Sequence, residues 1–474
     1  MGLSLFNGSG NRGENNPLAV VFLAAAILFA LSMLPWGRLT GNLIKDFDLF
    51  GDIFPSSKEY VFTELPSDPM LEEFLAEETA SDSEPLVSTA DSMAAVLVEN
   101  VPQATEAPRV GNTVAIEDYS PSLSGASALK RALAGGIGRP ARIAFIGDSF
   151  IEADIFCQNV RALLQDIYGG SGVGYVGMYS EFPGFRQSVS QSGSGWTEKN
   201  IMHAASSDTL RFLSGQYYIG TSGATATFKG TKQSSHTSSW DVSRFVFIAP
   251  SGGNITLSGS SGAVTMSVEP SDSVQSVVLP GTTSSLSVSC DISGLVGLGV
   301  YLDASSGVAV DCMSLRGNSG VGHRKTSPAL AAQLVACGLG YDMIVLEYGL
   351  NVLSGEQTNY ESYGRAMTQT VRRLRACYPG ADIMILGIGD RGCKLGTDIV
   401  SMPTCGRMTE AQRSVARKTG VMFWDMRAAM GGENAVVDWR RRNLVNADFV
   451  HINHAGGKEL AKEFVDALKL LLAE

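Results

Sequence analysis

The stretch Arg142–Val160, RIAFIGDSFIEADIFCQNV, decides the fold of this chain. Its apolar residues Ile143, Phe145 and Ile146 predict a buried strand, and the tripeptide Gly147–Ser149 then turns directly into a predicted amphipathic helix. The serine is thereby placed at a strand-to-helix corner, where the first helical N–H groups point towards an oxygen anion forming beside its hydroxyl. This placement favours a nucleophile.

A helix cap is the alternative interpretation of the same tripeptide. Asp148 and Ser149 are both favoured N-cap residues, and taken alone the Gly-Asp-Ser sequence is more typical of a cap than of a catalytic site. The remainder of the chain has to decide between the two.

Length and composition set the bounds. The chain has 474 residues, 44% of them hydrophobic, which is enough for a large core and for two or three folded units. Its net charge of −11 argues against nucleic acid as a partner, and the excess is local. Residues 46–106 hold fifteen Asp and Glu against one Lys, so the rest of the chain carries about +3.

The amino-terminal part predicts a membrane anchor followed by a tether. Leu18–Leu34 is an uncharged apolar run at the short end of what spans a bilayer, and no cleavage site follows it convincingly. We therefore predict an uncleaved tail and transmembrane helix over residues 1–36. Residues 37–110 are acidic and only patchily apolar, at Leu71–Leu75 and Met93–Val98, which is typical of a flexible tether with short helices.

An α/β pattern begins at about residue 111. Met343–Leu346 and Ile383–Leu386 are apolar on both faces and alternate with helical patterns such as Tyr360–Cys377, which predicts a parallel sheet covered on both sides. Ligands bind at the carboxyl ends of the strands in such sheets, and Ser149 follows one of these ends.

A segment of different composition, residues 183–311, interrupts this pattern. Charges become scarce, Ser, Thr, Gly and Val dominate, and short alternating runs recur between turn residues, which predicts an inserted β-sandwich between α/β segments 111–182 and 312–474. Trp196 and Trp240 of the insert are interpreted as core residues in preference to sugar-stacking ones. The predicted strands are Ala224–Phe228, Arg244–Ile248, Asn254–Leu257, Ala263–Val268, Val274–Leu279, Leu286–Ser289 and Gly299–Leu302.

Three other stretches fall just after strands or before the last helix: Gly317–Gly320, Tyr348–Asn351 and Asp448–His451. An acyl-transfer site needs a nucleophile, a base, a group that orients the base, and donors aimed at the developing oxyanion. The assignment is Ser149 as nucleophile, His451 as base, Asp448 as orienting carboxylate, and the Ser149 N–H, the Gly317 N–H and the Asn351 amide as oxyanion donors.

These four stretches resemble the blocks of the SGNH (GDSL-type) hydrolases, which carry Ser, Gly, Asn and Asp-x-x-His in this order. The closest resemblance is to bacterial peptidoglycan O-acetylesterases, through GDSFIEADIF, GGSGVGYVG, YGLNV, the FWDMRAAMGG segment and DFVHINHAGG. It implies a three-layer, flavodoxin-like hydrolase domain and a carbohydrate-binding-module-like insert. Val352 and Phe150 depart from the family pattern, since Glu and a polar residue are usual there.

The resemblance implies a membrane-anchored serine esterase that removes O-acetyl groups from a cell-envelope polysaccharide, most of all peptidoglycan, without metal or cofactor. Its catalytic domain is then expected to face the periplasm or cell envelope. Two alternatives stay open at this point: an O-acetyltransferase using the same triad, and a non-catalytic glycan-binding envelope protein, against which the intact triad argues.

Several other residues near these blocks receive a structural interpretation. His454 is expected to cap a helix or face solvent, and Glu347 and Asp390 to form ion pairs, with Arg391 or Arg365 for example. The seven cysteines give no zinc signature. A disulfide between Cys393 and Cys405 is left open.

Overall fold

The structure is a computed structural model that describes residues 60–62, 68–81, 106–204 and 208–473, with scattered positions between 21 and 34. The chain divides into two compact units, residues 1–61 with 394–398 and residues 62–393 with 399–474. In the first unit, Tyr60 and Val61 pair antiparallel with Leu395 and Lys394. The second unit contains both large sheets.

The regular elements of the described residues follow in chain order. The strands are β1 (Tyr60–Val61), β2 (Arg109–Val110), β3 (Thr113–Val114), β4 (Glu117–Asp118), β5 (Ala141–Gly147), β6 (Gly172–Val176), β7 (Val189–Asn200), β8 (Gln216–Gly230), β9 (Trp240–Ala249), β10 (Gly253–Gly259), β11 (Gly262–Val268), β12 (Ser271–Thr283), β13 (Ser285–Cys290), β14 (Leu295–Asp303), β15 (Val308–Ser314), β16 (Met343–Glu347), β17 (Asp382–Leu386), β18 (Gly392–Leu395), β19 (Asp398–Ser401) and β20 (Met422–Trp424). The helices are α1 (Pro69–Ser81), α2 (Ser127–Leu133), α3 (Cys157–Tyr168), α4 (Pro328–Ala336), α5 (Glu361–Cys377), α6 (Cys405–Thr419), α7 (Met426–Met430), α8 (Ala435–Arg441) and α9 (His454–Ala473).

The amino-terminal predictions meet the structure only in part. The predicted anchor Leu18–Leu34 falls largely outside the described residues, and among the helices that are described none has the length and apolar character to cross a membrane. The structure differs from the expected tether over residues 68–81. There α1 buries Met70 and Phe74, which are four residues apart and share one helix face, within the second unit.

The predicted parallel sheet is confirmed. Its strand order is β15-β5-β16-β17-β20-β4, and β4 at the edge runs antiparallel to β20 while the other neighbours are parallel. Gly147, the last residue of β5, lies level with Ser314 of β15 and Glu347 of β16. The loops that follow these three strands therefore leave the sheet at the same edge.

Helices cover both faces of this sheet. On one face Phe464 of α9 contacts the rings of Phe145 and Trp424, with centroid distances of 5.7 and 5.2 Å. On the other face the guanidinium of Arg413 in α6 lies 4.9 Å from the centroid of Phe423. Because Phe423 and Trp424 are consecutive in one strand, their side chains point to opposite faces of the sheet. The α/β part of the chain therefore has three layers, as predicted.

The insert is an antiparallel β-structure with its own hydrophobic core. All seven strands predicted within it fall inside β8 to β14. Hydrogen bonds join them into one sheet of order β11-β10-β13-β8-β14-β9-β12, with β7 on β8 and β6 on β14. The prediction is thus confirmed as an antiparallel insert, while its division into two packed sheets stays a prediction. Trp196 and Trp240 are buried in this core, as interpreted.

The boundaries of the insert differ from the predicted 183–311. Gly172–Val176 already pairs with β14, and Val308–Ser314 already belongs to the parallel sheet. The glycine-rich run before residue 183 shows little apolar alternation, so its strand carries no clear sequence signal. Val189–Asn200 was missed for the same reason, since Ser, Gly and Gln occupy most of its first half.

The aromatic contacts of α9 generate a stability prediction. Phe464 is fully buried and touches Phe145, Phe156 and Trp424, so Phe464→Ala should lower the free energy of unfolding by about 3–5 kcal/mol. Urea denaturation followed by intrinsic tryptophan fluorescence measures this. Ile167→Ala, at an exposed position of α3, is the control and should change the free energy by about 0.5 kcal/mol or less.

Candidate active site

Three predicted residues form a continuous hydrogen-bonded relay. Ser149 Oγ lies 2.9 Å from Nε2 of His451, and Nδ1 of the same ring lies 2.9 Å from Oδ2 of Asp448. The other carboxylate oxygen of Asp448 accepts the backbone N–H of His451 at 3.0 Å and that of Val450 at 2.9 Å. The relay therefore has both a base within reach of the hydroxyl and a fixed acceptor for the far ring nitrogen.

The charge on Asp448 is stabilised where it is needed. Partial burial acts to raise the pKa of its carboxyl, but the hydrogen bond from the His451 ring and the two backbone N–H groups hold this pKa below its usual value. Asp448 is consequently ionised at neutral pH. An ionised carboxylate at Nδ1 favours the ring tautomer that leaves Nε2 free to accept a proton from Ser149.

The helix after Ser149 begins later than predicted, which corrects the first argument from sequence. A bend and a short 3₁₀ turn, Glu152–Asp154, come between, and α3 starts only at Cys157. Ala153 and Asp154 adopt positive φ angles of 57° and 66° there. The N–H groups of α3 are therefore not beside the hydroxyl, and Asp148 caps the turn by accepting the Phe150 N–H at 2.8 Å.

The structure places the predicted oxyanion donors Asn351 and Gly317 in different surroundings. Asn351 lines the same cleft as Ser149, but its Nδ2 donates to Oδ2 of Asp148 at 2.8 Å and to the carbonyl of Asn318 at 3.2 Å. Both amide hydrogens thus have protein partners. Gly317 has a left-handed φ of 80°. It is not among the described residues that line the cleft, whereas its neighbour Arg316 is. The roles of Asn351 and Gly317 as donors stay predictions.

A pair of buried carboxyl groups underlies the turn. Asp148 and Glu347 are both fully buried, and the Asp148 N–H donates to the Glu347 carbonyl at 3.3 Å. Burial raises the pKa of Asp148 to about 7. Burial, and then the neighbouring Asp148, raise the pKa of Glu347 well above its usual value. Such a pair is expected to hold at least one proton at neutral pH.

The ion-pair expectation is confirmed for Asp390 and wrong for Glu347. Asp390 forms an ion pair, although with Arg427 at 2.9 Å and not with Arg391 or Arg365. Glu347 forms none: among the described residues no cation lies within ion-pair distance of its carboxyl, and the neighbour that acts on it is the Asp148 carboxyl. The ion-pair interpretation is therefore wrong for Glu347, because burial makes the neutral acid the favoured form.

The relay opens into a cleft of about 470 Å³. His454, the first residue of α9, lines it, and its Nδ1 lies 3.1 Å from Nε2 of Gln158. Burial lowers the pKa of His454, so the ring is neutral at pH 7. The ring therefore faces the cleft, which neither a solvent-facing nor a helix-capping role predicts. Sequence pattern gave no means of deciding this, because the first turn of α9 could have pointed either way.

The cysteines show no disulfide. Cys393 and Cys405 are both buried free thiols, and burial raises the pKa of each. Asp154, Cys157 and Cys312 lie close enough together to suggest a metal site. However, the carboxylate of Asp154 is held by Arg161 through two hydrogen bonds of 2.7 and 2.9 Å, and burial raises the pKa of Cys157, so this cluster presents an ion pair and a thiol.

The buried carboxyl pair generates a pH prediction. Since its folded-state pKa values are raised, the stability it contributes is present below about pH 4 and is lost as the pH rises towards 7 and beyond. Glu347→Gln should therefore reduce the fall of Tm between pH 5 and pH 8, measured by differential scanning fluorimetry. Glu361→Gln, at an exposed position, is the control and should keep the wild-type slope. An unchanged slope in Glu347→Gln would contradict the assignment.

Comparison with known proteins supports the fold. The chain is similar to a solved peptidoglycan O-acetylesterase at 24% identity, with 76% of this chain and 99% of that chain covered and a TM-score of 0.62. Two family two carbohydrate esterases align less well: an active-site mutant of the Clostridium thermocellum enzyme (12% identity, 59% of this chain, 99% of that chain, TM-score 0.26) and the Cellvibrio japonicus enzyme (11%, 60%, 98%, 0.26). Those two scores are too low to bear on the fold.

No protein-family model and no curated protein matches the chain. The likeness therefore rests on three-dimensional structure, and it covers 76% of this chain. In fold, this chain is similar to the solved peptidoglycan O-acetylesterase.

Proposed function

We propose that the chain is a serine esterase that removes O-acetyl groups from a cell-envelope polysaccharide, with peptidoglycan as the substrate. The observation that carries the proposal is the relay Ser149–His451–Asp448, closed by two hydrogen bonds of 2.9 Å at the carboxyl edge of the parallel sheet. The fold of the solved peptidoglycan O-acetylesterase supports the choice of substrate.

In the first half-reaction His451 Nε2 takes the proton of Ser149 Oγ as the oxygen attacks the acetyl carbonyl carbon. The tetrahedral intermediate collapses when His451 returns this proton to the departing sugar oxygen, leaving an acetyl group on Ser149. Water, deprotonated by His451, then attacks the acetyl-enzyme. The second tetrahedral intermediate collapses as His451 returns the proton to Ser149 Oγ, and acetate leaves. Asp448 stabilises the imidazolium in both halves without being protonated itself.

The oxyanion of each tetrahedral intermediate needs donors. We assign them to the backbone N–H groups of Ser149 and Gly317 and to the amide of Asn351. For Asn351 this requires that the longer of its two hydrogen bonds, 3.2 Å to the Asn318 carbonyl, gives way to the oxyanion, while the 2.8 Å bond to Asp148 keeps the amide oriented.

A second groove offers room for the rest of a glycan. It has a volume of about 410 Å³ and shares Glu152, Ala153, Phe185 and Arg316 with the cleft at Ser149. Its far wall is formed by the insert, through Gln191, Glu198 and Gln216 on β7 and β8. We therefore propose that the insert forms one wall of the substrate groove.

The groove carries exposed aromatic rings. Phe182 and Phe185 are 45% and 62% exposed, with ring centroids 5.8 Å apart, and the guanidinium of Arg316 lies 5.5 Å from the Phe182 centroid. Arg316 is itself held by Glu152 at 2.5 Å. Aromatic faces beside fixed polar groups are the usual composition of ligand sites, and they suit the apolar face and the hydroxyl edge of a sugar.

We also propose that the apolar run Leu18–Leu34 anchors the chain in the cytoplasmic membrane with the esterase facing the periplasm or cell envelope. The support is the uncharged length of this run in the sequence. Polymeric peptidoglycan lies on that side, where a tethered enzyme meets it.

The nucleophile assignment is tested by Ser149→Ala. The variant should lose hydrolysis of p-nitrophenyl acetate by a factor of about 10⁴ or more, since the covalent route disappears while the oxyanion donors remain. Release of acetate from O-acetylated peptidoglycan, followed with and without added acceptor sugar, reports hydrolysis and acetyl transfer separately. Ser124→Ala, on an exposed loop, should match wild type. Turnover that survives in a folded Ser149→Ala protein would remove this serine from the mechanism.

The groove assignment is tested by Phe182→Ala combined with Tyr179→Ala. Because remote contacts position a long substrate, the ratio of kcat/KM on polymeric O-acetylated glycan to kcat/KM on p-nitrophenyl acetate should fall by about tenfold. Ile137→Ala, exposed and outside the residues that line the groove, should keep the wild-type ratio. An unchanged ratio in the aromatic variant would mean that the polymer does not use this groove.

A further inference from the structure

The carboxylate of Asp68 is far from the catalytic blocks in sequence but bonds the loop Gly317–Gly320, named here the second-block loop. Asp68 is only 1% exposed, and its Oδ2 accepts both the backbone N–H of Ser319 at 2.7 Å and the Ser319 hydroxyl at 2.5 Å. Its Oδ1 accepts the Met70 N–H at 2.9 Å at the start of α1. One carboxylate thus caps a helix and holds a buried loop.

The loop held in this way adjoins the oxyanion side of the site. Ser319 follows Asn318, whose carbonyl accepts the amide of Asn351 at 3.2 Å. Asn351 in turn bonds Asp148, the residue before the nucleophile. A path of consecutive hydrogen bonds and single peptide links therefore runs from Asp68 to the proposed oxyanion donors.

The other side of the loop is fixed by α5. The hydroxyl of Tyr363 donates to the Ser319 carbonyl at 3.2 Å, and that of Thr370 donates to the Gly320 carbonyl at 3.2 Å. Two glycines of the loop adopt left-handed φ, Gly317 at 80° and Gly320 at 84°. Its internal bonds are those that the Asn318 side-chain oxygen and the Ser319 hydroxyl accept from the Gly320 and Val321 N–H groups, at 2.9 and 3.2 Å.

The helix that carries Asp68 is docked independently of that carboxylate. Phe74 of α1 is buried, with the guanidinium of Arg324 5.0 Å from its ring centroid, and Glu73 pairs with Lys325 at 2.8 Å. Glu77 pairs with Arg324 at 2.8 Å. Loss of Asp68 alone should consequently leave α1 in place, so its effect on the loop can be measured separately.

We propose that Asp68 is a positioning residue for the esterase site, which fixes the second-block loop and through it the Gly317 N–H and the Asn351 amide. The inference rests on the proposed function. It means that the catalytic unit begins before residue 106, with a segment that the composition of the sequence assigned to a tether.

Asp68→Ala in the full-length chain tests this. It should lower kcat on p-nitrophenyl acetate by about tenfold or more with KM within about twofold, because the donors act on the transition state and not on the bound ester. Labelling of Ser149 by a fluorophosphonate should slow by a similar factor. Asp68→Asn should recover part of kcat, since its amide oxygen can still accept from Ser319. Glu77→Gln, which removes a charge from the same helix, should keep wild-type kcat.

A second variant covers the case in which Asp68→Ala does not fold. Ser319→Ala removes the hydroxyl bond to Asp68 and the bond that the same hydroxyl accepts from the Val321 N–H at 3.2 Å. It should lower kcat several-fold, and in the double variant the two losses should be non-additive. Wild-type kcat in a folded Asp68→Ala or Ser319→Ala protein would overturn the proposal, as would an equal loss in Glu77→Gln. Failure of the proposed function looks different, because turnover and fluorophosphonate labelling would then not depend on Ser149 in any of these proteins.

Discussion

The parallel pairing of β5 with β15 on one side and β16 on the other is the constraint on which the rest of the site depends. It sets Gly147 level with Ser314 and Glu347, and the ladder continues beyond the strand ends through Leu315 N–H to the Gly147 carbonyl at 3.0 Å. Three loops distant in sequence therefore leave the sheet side by side. The nucleophile, the second-block loop and the Asn351 loop meet because their strands do.

Burial at this edge of the sheet acts on the pKa values of three carboxyl groups. Asp448 is ionised because the His451 ring and backbone N–H groups offset its partial desolvation, whereas Asp148 and Glu347 lie where no cation compensates them among the described residues, so burial raises their pKa values. The two kinds of carboxyl group consequently serve different ends. The ionised Asp448 holds the His451 ring, whereas Asp148 of the buried pair accepts the Asn351 amide.

Segments outside the α/β pattern complete the site. The insert supplies the far wall of the groove that joins the cleft at Ser149, and a short segment within the acidic stretch supplies Asp68 to the second-block loop. Both additions reach the edge of the α/β unit where the three loops emerge. An insertion or extension at that edge can alter substrate contacts or loop rigidity without disturbing the sheet, which its own buried strands hold together.

The sequence by itself determined the three-layer sheet, the seven strands β8 to β14 and the three residues of the hydrogen-bonded relay, because apolar period and motif spacing are local properties of the chain. Tertiary structure alone decided where α3 starts, that Glu347 has no cation, that both hydrogens of the Asn351 amide are engaged, and that Asp68 bonds Ser319 across 251 residues. The reason is physical: these features depend on which polar groups are buried against one another, and neither residue type nor spacing specifies a partner at such a distance. The membrane anchor stays a prediction from the sequence.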